Sequence, residues 1–227
     1  MKTWEFVEDD TIDLPAGGQA TRIRALVDFP YALVYEGDLG GYIESEKNLS
    51  GNAWVAHNAM VIGKAKVMGN ALIIEDAIVS GNAQVTGNAQ VTGDVVVTGD
   101  AVVMAYATVT DNVIVTGKAR VSGDTMVSGK ARVSGNAQVS GRARVSGNAQ
   151  VTDDVLITDT AIVTGKARVS GNAQVSGNAQ VTGNAMVSGR AIVSGKAIVS
   201  GNAQVTGNAQ VTERKQVSGD TVLTGEE

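Results

Sequence analysis

The sequence of 227 residues is poor in the residue types that usually carry chemistry. It has no cysteine, one histidine and two prolines, and aromatic residues make up 4% of it. The absence of cysteine excludes disulfides and thiol catalysis. One histidine cannot supply the three imidazole ligands of a carbonic-anhydrase zinc site. We therefore expect no metal site and no cofactor.

Concentrated positive charge and long apolar runs are also missing. The net charge is −5, and apart from Arg214 and Lys215 the lysines and arginines occur singly along the chain. A nucleic-acid groove needs clustered positive charge, and a membrane span needs about 20 apolar residues. The start of the chain does not read as a signal peptide. We expect a cytoplasmic protein that binds neither nucleic acid nor membrane.

What the sequence does have is an unbroken period of six. From Ile43 to Leu223, all 31 positions at this spacing hold isoleucine, leucine or valine, usually with alanine two residues before and glycine two residues after. Side chains alternate in a strand, so Ala137 and Val139 face one way and Gln138 the other. Glycine at the following corner accepts left-handed backbone angles. Each unit thus predicts a short, half-buried strand and a tight turn.

Three such units make one triangular coil, and coils stack at roughly 4.8 Å. The fold class that this predicts is all-β: a single-stranded β-helix solenoid of about ten triangular coils of three hexapeptides, spanning residues 43–227. The period resembles the left-handed β-helix of the hexapeptide-repeat superfamily. That resemblance, and not the spacing, implies the left hand.

The first 42 residues follow a different pattern. Most aromatic residues lie here, and the β-rich runs Thr3–Val7, Thr21–Val27 and Ala32–Tyr35 are separated by turn residues. They predict a small N-terminal antiparallel β cap over residues 1–42. A solenoid needs such a cap because its first coil would otherwise expose apolar interior and unpaired strand edges.

A narrower resemblance lies between residues 22 and 55. The segments Arg22–Phe29, Gly37–Glu44 and Asn48–Val55 together resemble the N-terminal signature of an uncharacterised bacterial, phage or prophage family of hexapeptide-repeat proteins. The resemblance implies a cap feeding a left-handed β-helix, and a virion-associated protein if the chain is phage-encoded. It carries over no catalytic residues.

Catalysis has little support in the repeats. Hexapeptide acyltransferases typically use a histidine base and a loop that walls off the donor site. Here His57 occupies a corner and no loop interrupts the repeats. Corner acids such as Asp111, Asp153 and Asp159 could bind Ca²⁺ through oxygen ligands, but aspartate is also a common turn residue. We predict no enzyme, no catalytic residue and no small-molecule substrate.

In the N-terminal half, several outward-facing positions of the repeat are apolar and adjoin one another. One face presents apolar residues on four successive coils, and the neighbouring face begins with further apolar residues. Contiguous apolar patches mark interfaces, unless the cap folds back over them. The candidate interface residues are Met60, Ile62, Ile78, Val96, Ile114, Trp54, Leu72 and Ile74.

The C-terminal end breaks the pattern. Lys215 occupies a slot where alanine normally points inward, so its charge must reach out of the open end, and Glu213 replaces a corner glycine. An inward charge near an edge disfavours end-to-end strand pairing.

The function predicted is a non-catalytic structural or interaction protein. It would be a rigid rod that forms a homo-oligomer, or docks a protein partner, through its N-terminal half. The alternatives are a divergent acyl or nucleotidyl transferase that uses His57 in a site shared between subunits, and a filament-forming β-helix protein.

Overall fold

Each hexapeptide forms a strand of two to four residues, in which successive side chains alternate between the interior and the surface. In the computed structural model, which describes residues 3–225, Ala137 and Val139 are fully buried while Gln138 is exposed. The same alternation recurs in nearly every unit, so the side chains of the period-six residues and of the alanine slot form one continuous core.

The strands form three sheets, one on each side of the solenoid, and we name each face after a residue near its N-terminal end. The strands of the Met60 face are β1 (Trp4–Asp13), β2 (Gln19–Ala25), β3 (Leu39–Ile43), Met60–Val61, Ile78–Val79, Val96–Val97, Ile114–Val115, Arg132–Val133, Gln150–Val151, Arg168–Val169, Met186–Val187, Gln204–Gly207 and Val222–Gly225. The strands of the Trp54 face are Trp54–Val55, Leu72–Ile74, Gln90–Gly93, Thr108–Asp111, Met126–Val127, Arg144–Val145, Ile162–Val163, Gln180–Val181, Ile198–Val199 and Gln216–Val217. The strands of the Lys66 face are Lys66–Val67, Gln84–Val85, Val102–Val103, Arg120–Val121, Gln138–Val139, Leu156–Ile157, Gln174–Val175, Ile192–Val193 and Gln210–Val211.

Successive coils pair in parallel with a shift of eighteen residues. Gln138, for example, lies beside Leu156, and its amide donates to the carbonyl of Val155 at 2.8 Å. Because the register never slips, equivalent side chains lie directly above one another along the rod. The predicted β-solenoid of about ten stacked coils is confirmed. Two 3₁₀ turns, Pro30–Ala32 and Glu46–Asn48, are the helical elements among residues 3–225.

The backbone conformation at the corners explains why glycine recurs there. Gly147 has φ of 69°, and a Cβ added there would lie 2.8 Å from the carbonyl oxygen of Gly165 in the next coil. The left-handed backbone and the close approach of the next coil both favour glycine at this position.

The N-terminal strands extend the Met60 face beyond the first coil. Strand β2 pairs antiparallel with both β1 and β3, and β3 then pairs in parallel with Met60–Val61. Strand β3 crosses the domain boundary expected after residue 42. The strand predicted over Ala32–Tyr35 is wrong, because the chain there makes a 3₁₀ turn followed by Leu33 in the left-handed region.

The first corner is closed by a buried amide. The Asn48 side chain donates to the carbonyls of Gly63 (3.0 Å) and Ala65 (2.8 Å), and its oxygen accepts the amide of Ser45 at 2.7 Å. Carbonyls that would otherwise lack a partner at this end are thereby satisfied. At the other end of the rod Lys215 is exposed, so its charge avoids the core as the sequence requires.

Candidate functional site: the apolar surface of the N-terminal coils

Four stacked side chains on the Met60 face form the first part of the candidate site. Met60 pairs with Ile78, Ile78 with Val96, and Val96 with Ile114, and all four are partly exposed. We call these residues the Met60 strip. Parallel neighbours lie roughly 4.8 Å apart, which makes the strip straight and flat. Arg132 is next on the same face and ends the apolar run.

A polar network borders the other end of the strip. Tyr42 pairs with Met60, its hydroxyl donates to Asp10 at 2.9 Å, and the Arg22 guanidinium lies 4.3 Å from the centre of its ring. Arg22 also forms an ion pair with Asp10 and donates to the carbonyl of Gly40 at 2.9 Å. Since β1 and β2 lie beside β3 in the same sheet, they lengthen this face, and the strip residues remain partly exposed.

Ile62 has a different environment from the strip. It borders a cavity of about 470 Å³ between the solenoid and the turn that joins β1 to β2, where Leu14 and Pro15 form the opposite wall. Ile62 therefore faces the hairpin turn on one side and is partly exposed.

Trp54 is not at the surface, which corrects its assignment as an interface residue. Its exposure is 0%, and its ring centre lies 5.0 Å from that of the buried Phe29. The segment between β2 and β3, residues 26–38, folds over it, and we call this segment the Leu33 loop. The indole nitrogen of Trp54 has no hydrogen-bond partner among the described residues.

Leu72 and Ile74 lie at the edge of that cover. Both are partly exposed, and they line a groove of about 350 Å³ between the Trp54 face and the Leu33 loop. Most of the side chains that line it are apolar, but polar atoms, including those of Asp38 and His57, make up about half of its exposed surface. We call it the Leu33 groove. The structure thus divides the predicted interface into a flat strip on one face and a groove on the next.

Sequence reasoning missed a group of exposed apolar residues in and next to the Leu33 loop, two of which, Leu33 and Leu39, line the groove. Tyr31, Leu33, Tyr35 and Leu39 are 44%, 79%, 63% and 53% exposed. They were assigned to the cap, where apolar residues are expected to be buried. Partial burial raises the pKa of Tyr31 to about 12, so its phenol remains a neutral hydrogen-bond donor. The signal available in the sequence was that all four lie within a stretch of nine residues.

His57 has a structural role at its corner. Its φ is 57°, and its Nδ1 accepts the amide of Glu75, one coil on, at 3.4 Å. Three aspartates at equivalent corners do the same with the glycine amide of the next coil, at 2.8 to 3.0 Å: Asp111, Asp153 and Asp159. A side-chain acceptor at a left-handed corner therefore pairs with a backbone N–H that the turn leaves free.

The acidic corners do not gather into a metal site. Within residues 3–225, no group of three or more histidine, aspartate or glutamate side chains is arranged to hold a metal ion. Each of the three aspartates is accounted for by the amide that it accepts. The same part of the chain contains no helix with the length and apolar character to cross a membrane.

A family model, the YdcK beta-solenoid repeat, matches residues 137–153, 173–188 and 179–195. These segments are similar to that repeat and make up less than a fifth of the chain. All of them lie in the regular C-terminal coils, and none includes a residue of the strip or the groove. A comparison with curated proteins found no match.

Proposed function

We propose that this chain is a non-catalytic rod that associates with a second copy of itself through the Met60 strip. We also propose that it belongs to the left-handed hexapeptide-repeat class of bacterial or phage proteins, which its period and its segments between residues 22 and 55 resemble. The observation that carries the function is the strip: four partly exposed apolar residues in register, on a face that turns polar at Arg132.

Two-fold symmetry suits the strip because its members are evenly spaced. An axis between Ile78 and Val96 would place Met60 opposite Ile114 of the partner subunit. Isologous contacts of this kind are the commonest way in which proteins dimerise. The next residues along the face would then meet as well, with Arg132 beside Tyr42 and Asp10 of the partner subunit. The apolar strip and the charged residue beyond it thus favour the same antiparallel register.

The size of the strip sets the expected strength of association. Four residues span about 14 Å along the rod, whereas a stable interface buries about 800 Å² on each partner. We therefore expect a dimer that forms at micromolar concentration and dissociates on dilution.

Reversing the character of the strip tests this proposal. Ile78→Arg with Val96→Arg should convert the dimer to a folded monomer, since both side chains point outward from an unchanged interior. The matched control is Gln84→Arg with Val102→Arg, which alters the same two coils on the Lys66 face. Sedimentation velocity at tens of micromolar should find a dimer for the parent and the control and a monomer for the strip variant. A parent that is monomeric at this concentration contradicts self-association.

The proposed register has its own test. Arg132→Glu should weaken the dimer because it would bring two carboxylates together. Arg168→Glu, two coils further along the same face, should leave it intact. Equal effects of the two substitutions would exclude this register. A continuous series of masses in the parent would instead indicate the filament-forming alternative.

A further inference from the structure

Exposed apolar side chains are concentrated in and next to the Leu33 loop. Four of the eight large hydrophobic residues exposed among residues 3–225 fall between Tyr31 and Leu39. The other four are single residues on separate coils: Tyr106, Met126, Met186 and Val222. Scattered apolar residues are normal on a protein surface, whereas a cluster marks a contact surface. The cluster lies in the Leu33 loop over the Trp54 face, except Leu39, which begins β3 of the Met60 face, and it shares no residue with the Met60 strip.

Leu33 is the least explained residue of the cluster. Its backbone is left-handed, with φ of 54° and ψ of 39°, and its side chain is 79% exposed. Bulky residues are rare in this region, where glycine or asparagine would fit without strain. Neither burial nor backbone conformation favours leucine here. Strained residues of this kind cluster at functional sites.

The loop holds Leu33 in place through its own hydrogen bonds. Phe29 and Val34 exchange backbone bonds of 2.8 and 3.3 Å on either side of it. The carboxylate of Asp38 accepts the amide of Tyr35 at 2.8 Å, and that of Asp28 accepts the amide of Glu36 at 2.9 Å. A preorganised loop loses little conformational entropy when it binds a partner.

The groove beside the loop can accept an apolar anchor. Its volume of about 350 Å³ lies at the small end of the range for ligand pockets and suits one or two side chains. Leu33 and Leu39 line it on the N-terminal side, and Leu72 and Ile74 line it from the Trp54 face. The surface therefore pairs a groove of mixed polarity, lined by these apolar side chains, with exposed apolar residues on one side.

The charges around the groove are mainly acidic. No lysine or arginine occurs between Ala25 and Glu46; Glu36 lies in the Leu33 loop, Glu75 and Asp76 directly follow the groove residue Ile74, and all three are exposed. Two arginines come close to the groove, and both are paired: Arg22 contacts the carbonyl of His57 at 3.3 Å and pairs with Asp10, and Arg24, the strand partner of Leu39, pairs with Glu5 at 3.4 Å. Charge complementarity thus favours a basic partner.

We propose that the Leu33 loop and groove form a docking site for a protein segment that carries an aliphatic or aromatic anchor flanked by lysine or arginine. The anchor enters the groove between Leu33 and Leu72, and the basic residues face Glu36 and Glu75. This site is independent of the self-association proposed for the Met60 strip.

Panning a displayed random-peptide library against the intact protein tests the chemistry of the partner. Enriched sequences should combine an apolar anchor with neighbouring lysine or arginine. A labelled synthetic copy of an enriched peptide then serves as the probe in fluorescence anisotropy. If no sequence is enriched, or if the enriched sequences are acidic, the proposal is overturned.

Leu33→Gly separates binding from stability. Glycine relieves the left-handed backbone and removes the exposed side chain, so the midpoint of thermal unfolding should stay the same or rise. Affinity for the probe should fall by about tenfold, in line with the loss of an interface anchor. Tyr106→Ala, which removes an exposed ring on a distant coil, should leave affinity unchanged. A lower unfolding midpoint for Leu33→Gly would show that leucine is there for stability and would refute its docking role.

The acidic rim and the identity of the occupant are tested on the same probe. Glu36→Gln with Glu75→Gln should weaken binding and reduce its salt dependence, whereas Asp154→Asn on a C-terminal coil should not. The Ile78→Arg, Val96→Arg variant should bind the probe normally, whether or not the strip forms a dimer. If Leu33→Gly lowers the mass of the protein in solution, the groove is occupied by a second copy and the proposed basic partner is wrong.

Discussion

The N-terminal and C-terminal coils share one interior and differ in their outer surfaces. Val97 and Val139 are both fully buried in equivalent positions. Their outward neighbours are Val96, which belongs to the apolar strip, and Gln138, which is polar and exposed. Every coil must fill the same narrow interior, so the interior repeats. The outer positions are free to vary, and their variation in the N-terminal coils points to contact surfaces there.

The largest effect should come from placing charge in the shared interior. Val139→Asp loses about 1.5 to 3 kcal/mol of apolar burial and adds several more for an unpaired buried carboxylate. Gln138→Asp stays in water and should change stability by less than about 0.5 kcal/mol. Thermal unfolding followed by circular dichroism measures both variants. Similar midpoints would contradict the assignment of inward and outward positions.

The equivalent pair of inward and outward substitutions in the N-terminal coils tests whether the two halves share one interior. Val97→Asp should destabilise the rod about as much as Val139→Asp, because the two interiors are equivalent. Val96→Asp should preserve the unfolding midpoint and weaken self-association instead. If Val96→Asp unfolds the protein, the strip belongs to the core and the contrast between the two halves is lost.

Substitution of a corner glycine should have the next largest effect on stability. Gly147→Ala forces a Cβ into left-handed backbone and towards Gly165, at a cost of about 2 kcal/mol. Gly147→Asp should cost about 1 kcal/mol less, because its carboxylate can accept the amide of Gly165 as Asp111 accepts that of Gly129. Urea unfolding of the two variants decides this. Equal losses would mean that the aspartates are merely tolerated at corners.

The repeating interior could be predicted from the sequence, and the N-terminal surface only in part. The solenoid follows from a period that never slips, since Val139 and its equivalents meet the same requirement in every coil. The burial of Trp54 depends on the ring of Phe29, which lies 25 residues earlier and outside the repeat. No local pattern records a contact between segments that pack only after the chain has folded.

The Leu33 loop shows a second limit. The run Ala32–Tyr35 has the composition of a strand, but Pro30 fixes the start of a 3₁₀ turn and Leu33 adopts a left-handed conformation that leucine rarely takes. Propensity therefore predicted the wrong element at the most exposed large hydrophobic residue of the described chain. The groove beside it was also missed, because Leu72 and Ile74 form it together with a loop from another part of the chain.

A smaller effect, of opposite sign, should come from a buried hydroxyl. Thr125 occupies an alanine slot at 1% exposure, and its Oγ1 has no hydrogen-bond partner in the described structure. Thr125→Val introduces the residue that already fills the equivalent slot at position 113. It should raise stability by about 1 kcal/mol. Thr221→Val is the control, since Thr221 is exposed and its hydroxyl donates to Ser218 at 2.7 Å. A loss of stability in Thr125→Val would imply an unseen partner for the hydroxyl.

The smallest effect should come from His57, the residue on which the transferase alternative depends. His57→Gly exchanges a long hydrogen bond to Glu75 for a residue that suits the left-handed corner, so stability should change by no more than about 0.5 kcal/mol. His57→Asp should stabilise the corner slightly more than glycine does, because a carboxylate there can accept the Glu75 amide as Asp111 accepts that of Gly129. Neither variant should alter the sedimentation of the rod. Measurable acyl transfer by the parent that both substitutions abolish would make His57 a catalytic base and contradict the non-catalytic function proposed above.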